Sequence, residues 1–179
     1  MDKATLKKTL CNCVECSNGS FLLEEKGAEA TLRAVTMCDI PKDALIVKMD
    51  DIRFYKLLID RKEIGFNKHS DYLIITDDKA VLIEIKSKKE VNQNLFDECR
   101  TKFISDECSL GYADDIFQKM MNKNSFFKNK EFHFVLFHQT LSMAKSPIAP
   151  EDLSPNLTPD TLRKIPVVNN GTISFFRTI

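Results

Sequence analysis

Two apolar segments joined by a short polar turn constrain this chain more than any other feature. His69-Ser70-Asp71-Tyr72-Leu73-Ile74-Ile75-Thr76 and Ala80-Val81-Leu82-Ile83-Glu84-Ile85-Lys86 are rich in β-branched and aromatic residues, and Asp77-Asp78-Lys79 between them is turn-like. Together they predict an antiparallel hairpin. Side chains alternate along a strand, so Ile83 and Ile85 fall on one face and Leu82 on the other, and both faces are expected to be covered. Asp71, Glu84 and Lys86 interrupt this apolar pattern. Ionised groups among apolar neighbours are costly unless they are paired or bound to a metal.

The turn sets which of them meet. With Asp78-Lys79 as the two-residue loop, Asp71 lies opposite Lys86; with Asp77-Asp78 as the loop, it lies opposite Glu84. Either register places Asp71, Glu84 and Lys86 on one sheet face, because residues i and i+2 point the same way. Two carboxylates on a rigid face suit a hard cation such as magnesium or manganese, which takes few protein carboxylates and keeps its waters. Such a cation polarises a phosphoryl oxygen and lowers the pKa of a bound water. A neighbouring lysine orients that water and stabilises developing charge. The set suits phosphodiester hydrolysis better than proton abstraction or acyl transfer. A cross-strand ion pair on a solvated face is the plainer alternative, and apolar neighbours on both faces weigh against it.

His69-Ser70-Asp71 followed by Glu84-Ile85-Lys86 resembles the PD-(D/E)XK motif of restriction-endonuclease-like nucleases, with Ser70 in place of the family's proline. The resemblance covers roughly residues 25–138. It implies an α/β fold with a central mixed β-sheet flanked by helices. It implies that Asp71 and Glu84 bind metal, that the Ile85 carbonyl helps, and that Lys86 is the catalytic lysine. Family members often carry a further glutamate on a preceding helix; Lys26-Gly27-Ala28-Glu29-Ala30 resembles that region in archaeal Holliday-junction resolvases, which makes Glu29 the candidate, with Glu25 behind it. A Gln or Lys on the helix after the E-x-K often contributes, and Gln93 is the matching residue.

Around this centre, Lys88 and Lys89 adjoin the expected metal site and can contact phosphate, while His69 shares the face of Asp71 and either touches substrate or is a hydrogen-bonded strand histidine. Lys102, Lys119, Lys123, Lys128 and Lys130 either extend a basic surface or sit on solvated helix faces. His133 and His138 read as structural. The formal net charge is zero, so a nucleic-acid substrate, DNA before RNA, needs a local basic patch or a partner protein. A homodimer or a larger assembly would supply the latter.

The remaining expectations concern organisation. Residues 1–20 read as a short basic helix and a cysteine-rich segment, and residues 21–179 as one nuclease-like domain ending in a loop and a β-hairpin around Asn170-Gly171. Phe21 to Val35 looks helical, although Gly27 and the β-branched Thr31, Val35 and Thr36 weaken the pattern. Ala44–Lys48 reads as a strand, Asn92 as the cap of a helix with Leu95, Cys99 and Phe103 on one face, Tyr112–Met121 as a second helix, and Glu131–His138 as another central strand. Ile52–Ile59 fits helix or strand.

Cys11, Cys13 and Cys16, with Cys38 as a fourth, are either free thiols or ligands of zinc or an iron–sulfur cluster. No apolar run approaches the ~18 residues of a membrane span, so no membrane partner and a cytoplasmic location are expected. With five glycines and no G-x-x-x-x-G-K, G-x-G-x-x-G or G-x-S-x-G, the commonest nucleotide-binding and hydrolase classes are excluded. The alternative to a nuclease is a non-catalytic nucleic-acid-binding or adaptor protein of the same fold.

Overall fold

The computed structural model describes residues 6–8, 13–16, 18–25, 30–49, 68–140 and 155–179. Its strands are β1 (Cys13–Glu15), β2 (Phe21–Glu24), β3 (Ala34–Cys38), β4 (Leu45–Lys48), β5 (Tyr72–Ile75), β6 (Lys79–Lys86), β7 (Glu131–Gln139), β8 (Arg163–Val167) and β9 (Gly171–Ser174), and its long helix is α1 (Gln93–Lys119). A six-stranded mixed sheet runs in the order β1-β4-β5-β6-β7-β8, and a three-stranded sheet in the order β2-β3-β9. Among the described residues no helix is long and apolar enough to cross a membrane.

The hairpin forms as expected. Tyr72 pairs with Ile83 and Ile75 with Ala80, and the Thr76 amide donates to the Lys79 carbonyl at 2.9 Å. The loop is therefore Asp77-Asp78, the register that puts Asp71 across from Glu84. β4 continues the antiparallel meander on β5. The chain then crosses over through α1 and returns in β7, parallel to β6, as a parallel pair requires. β6 is paired on both sides and buried on both faces over Ala80–Ile85, which explains its continuous apolar run.

Alternation divides the interior into two cores. Leu73, Ile75, Ala80, Leu82, Phe134 and Leu136 pack under α1 against Leu95, Cys99 and Phe103. Tyr72, Ile74, Val81, Ile83, Ile85 and Phe137 pack on the other side against Val35, Met37 and Ile173 of the small sheet. The expected flanking by helices is thus corrected: among the described residues α1 covers one face and a β-sheet the other.

Three further expectations change. Phe21–Val35 does not form a helix in its described parts; β2 and β3 pair antiparallel, Leu23 against Val35. Period-2 burial, with Val35 and Met37 inside and their neighbours half-exposed, overrides the 3.6-residue pattern because β9 adds to β3 from far along the chain. Tyr112–Met121 is no separate helix but the end of α1, and Gly111 within it meets open space; one glycine costs a helix only about 1 kcal/mol. The last two strands form no hairpin: on either side of the turn at Asn170 (φ 58°), β8 lies in the large sheet and β9 in the small one. Asn169 and Asn170 make the turn, closed by the Gly171 amide on the Val168 carbonyl at 2.9 Å, but the apolar residues on either side complete different sheets.

Other expectations hold. Asn92 caps α1, its side chain accepting the Leu95 amide at 3.0 Å, and Ala44–Lys48 supplies β4. Residues 6–8 are helical within the expected N-terminal helix, while Ile52–Ile59 lies outside the described residues.

Candidate active site

Strand β6 runs Ala80, Leu82, Glu84, Lys86 along the face toward α1, so its apolar stripe turns to charge in its last residues. Glu84 has no exposed surface. Its Oε1 receives Lys102 Nζ at 2.6 Å and Lys86 Nζ at 2.9 Å, while Oε2 has no hydrogen-bond partner among the described residues. Burial pushes the Glu84 carboxyl above its ordinary range, against the pull of the two ammonium groups. Lys86 also bonds Glu98 at 3.0 Å. Burial works against its charge, but Glu84 and Glu98 outweigh it and raise its pKa. Lys102 is raised too, with Glu84 overcoming burial and Lys86.

Asp71 sits at the mouth of the hairpin, where the ladder shifts. Its amide donates to the carbonyl of Ile83 at 3.0 Å, one residue short of Glu84, which the register Tyr72↔Ile83 would place there. Its Oδ2 accepts the Ile85 amide at 2.6 Å. A local loss of pairing at a strand end re-aims a side chain in this way. The Asp71 charge also acts on Lys102, so Asp71, Glu84, Lys86 and Lys102 share one electrostatic neighbourhood.

The helix supplies what the motif omits. Glu98, Lys102 and Asp106 are spaced four apart on α1 and lie one above another. Lys102, expected on a basic surface or a solvated helix face, is instead part-buried against Glu84. Asp106 is fully buried, with Oδ1 2.7 Å from His69 Nδ1 and Oδ2 accepting the Ser70 amide at 3.0 Å. The signal for this stripe was present, since each member lies beside or between the residues of the apolar stripe Leu95, Cys99 and Phe103. Which residue a helix aims at a strand, however, depends on its placement.

The other candidates fall as follows. His69 is the buried, hydrogen-bonded histidine of the two expected alternatives, its ring on Asp106. Gln93 is exposed and bonds Asp97, well round the helix from Glu98 and Lys102, so those two contact the E-x-K residues instead. Lys88 and Lys89 are exposed just past Lys86; the Lys88 charge reaches Glu98, and the Lys89 backbone hydrogen-bonds His138. His138 pairs with Lys86 across β6 and β7, and burial lowers its pKa. Ile85 buries its side chain and gives its amide to Asp71.

Glu29 lies outside the described residues. Its flanks are pinned to the site's edge: Ser87 Oγ accepts the amides of Thr31 and Leu32 at 3.0 Å each and donates to Glu25 at 2.7 Å.

Asp71 and Glu84 offer hard oxygen donors, and the orphaned Glu84 Oε2 is the kind of atom a divalent cation satisfies, so the pair fits magnesium. Among the described residues no three His, Cys, Asp or Glu side chains gather for a metal. The cysteines do not converge either. Cys13 packs on the α1 side, Cys16 lies in the opposite core, and Cys38 bonds Asp39; Cys11 lies outside the described residues. Compared with protein-family models, curated proteins and solved structures, the chain matches none of them.

Proposed function

We propose that this protein is a metal-dependent nuclease that hydrolyses a phosphodiester bond of nucleic acid, DNA before RNA, at the Asp71–Glu84–Lys86 site. The observation that carries the reading is a buried carboxylate with one unpartnered oxygen, Glu84, held by two lysines at the end of an interior strand, with Asp71 just before the adjacent strand. The order β4-β5-β6, crossover helix, parallel β7 also supports a restriction-endonuclease-like core, because it places the Asp and the E-x-K on adjacent strands.

Asp71 and Glu84 would hold the cation, with the Ile85 carbonyl as a further donor. When bound, magnesium supplies Lewis-acid polarisation of the phosphoryl oxygen and a more acidic water. The protein's own groups do the rest. Lys86 carries its charge throughout the neutral range and orients the attacking water. Lys102 places a second ammonium where negative charge develops on the phosphate, in a site dry enough for that charge to count. Lys88 and Lys89 guide the backbone from outside, where salt screens them.

One observation favours a second reading, a nucleic-acid-binding or adaptor protein. Glu84 Oε1 is already satisfied by two lysines, as in a purely structural ion cluster. Cleavage of plasmid and single-stranded DNA with magnesium or manganese separates the two. The nuclease reading expects metal-dependent cleavage that falls by about 10²–10³-fold in Lys86→Ala, the loss typical of a group stabilising transition-state charge. Cleavage undiminished by Lys86→Ala would sink this site assignment. Absence of both cleavage and manganese binding by the wild type would favour the adaptor.

A further inference from the structure

Asp106 is a buried carboxylate that the chemistry above does not use. It has no exposed surface, and burying a charge is costly. A structural need to satisfy one loop amide would be met as well by a neutral side chain. Its two oxygens are spent on consecutive residues just before Asp71, the His69 imidazole at 2.7 Å and the Ser70 amide at 3.0 Å. The reason lies in the strand. β5 begins at Tyr72, so the Ser70 amide lies beyond the ladder, and Asp106 provides an acceptor there.

Three backbone bonds then hold the chain around Asp71: Ser70 N–H donates to Asp106, Asp71 N–H to the Ile83 carbonyl, and Met49 N–H to the Asp71 carbonyl at 3.0 Å. The spacing of α1 fits this task. Four helical residues rise ~6 Å and two strand residues ~6.6 Å, so a stripe at i, i+4, i+8 keeps step with alternate residues of β6. Glu98 contacts Lys86, Lys102 contacts Glu84, and Asp106 contacts the residues that carry Asp71.

We infer that Asp106, with His69 as its partner, is a positioning residue that sets the Asp71 carboxylate for cation binding. The inference rests on the metal-site reading above. Partners of metal ligands that never touch the ion commonly tune affinity 10–100-fold.

The test is manganese binding by calorimetry on the full chain, with urea unfolding of the same samples. Asp106→Leu removes both acceptors and should weaken binding by about 10–100-fold. His69→Leu should weaken it in the same direction, and His69→Asn, whose side-chain N–H replaces Nδ1–H, should restore it. If Asp106→Leu does not fold, the two His69 variants decide. Loss of stability with manganese affinity unchanged in Asp106→Leu and His69→Leu would reduce the pair to a structural brace and overturn the inference while leaving the metal site standing. A wild type that binds no manganese would remove the metal site itself, and the inference with it.

Discussion

The two faces of β6 are made from alternate residues of one strand, yet they have different work. Val81, Ile83 and Ile85 meet Val135, Phe137, Ile165 and the small sheet in a mainly apolar layer. Ala80 and Leu82 begin the same way under α1, but Glu84 and Lys86 end that face in charge, answered by Glu98 and Lys102 from the helix. One face is held by area removed from water, which needs no particular geometry. The other adds to an apolar core under α1 a set of charges that must be paired, which needs a great deal. The comparison teaches that the charged cluster, and with it the proposed chemistry, is confined to one side of the sheet, so it should be removable without loss of the stability that the other side supplies.

The sharpest way to break that separation is Phe137→Ala. Phe137 is fully buried in the apolar layer, and its truncation should cost about 3–5 kcal/mol in urea unfolding. Manganese affinity per folded molecule should stay the same; a parallel loss of affinity would show that the two faces are not separable.

The opposite experiment replaces the charged cluster by apolar residues of similar size, Glu84→Leu with Lys86→Met and Lys102→Met. Removing a whole buried ion cluster is often neutral or stabilising by about 1–4 kcal/mol. The triple variant should therefore unfold no more easily than wild type while losing all metal-dependent cleavage. A large loss of stability would mean that the charges hold the fold.

The smallest expected effect tests where the polar region ends. Burial lowers the pKa of His138, beside Lys86, below its ordinary value of 6.5, against its bond to the Lys89 backbone. The unfolded chain therefore binds this proton before the folded one does, and the stability His138 contributes is present above pH ~6.5 and lost as pH falls through the window below it. The stability difference between wild type and His138→Gln should drift in that direction over this window. A flat difference would place His138 outside the polar region, with no part in it.

Much of the candidate site was legible because its information is local. Asp71, Glu84 and Lys86 belong to one hairpin, and a period of two assigns them a common face for either two-residue loop. The choice between registers was not legible: Asp77-Asp78 and Asp78-Lys79 are both acceptable turns, and pairing across both edges of the hairpin selects one. The cysteine spacing left free thiols and metal ligands both open; the fold sends Cys13 and Cys16 to opposite sides of the large sheet. Gln93 and Lys102 are both polar residues of one helix, and sequence has no means of saying which turn of that helix crosses Glu84.

What the sequence determined by itself was therefore set by neighbours along the chain: the hairpin, the Asn92 cap, strands β4 and β7, and the charged face of β6. The tertiary structure alone decided what depends on distant partners. Residues 21–24 and 34–38 became a β-pair because β9 lies beside β3. The last two strands parted because each completes a different sheet. Lys102 and Asp106 joined the site because α1 returns across the same face. Local periodicity fixes which side of an element is apolar, but the partner that covers it is chosen by the rest of the chain.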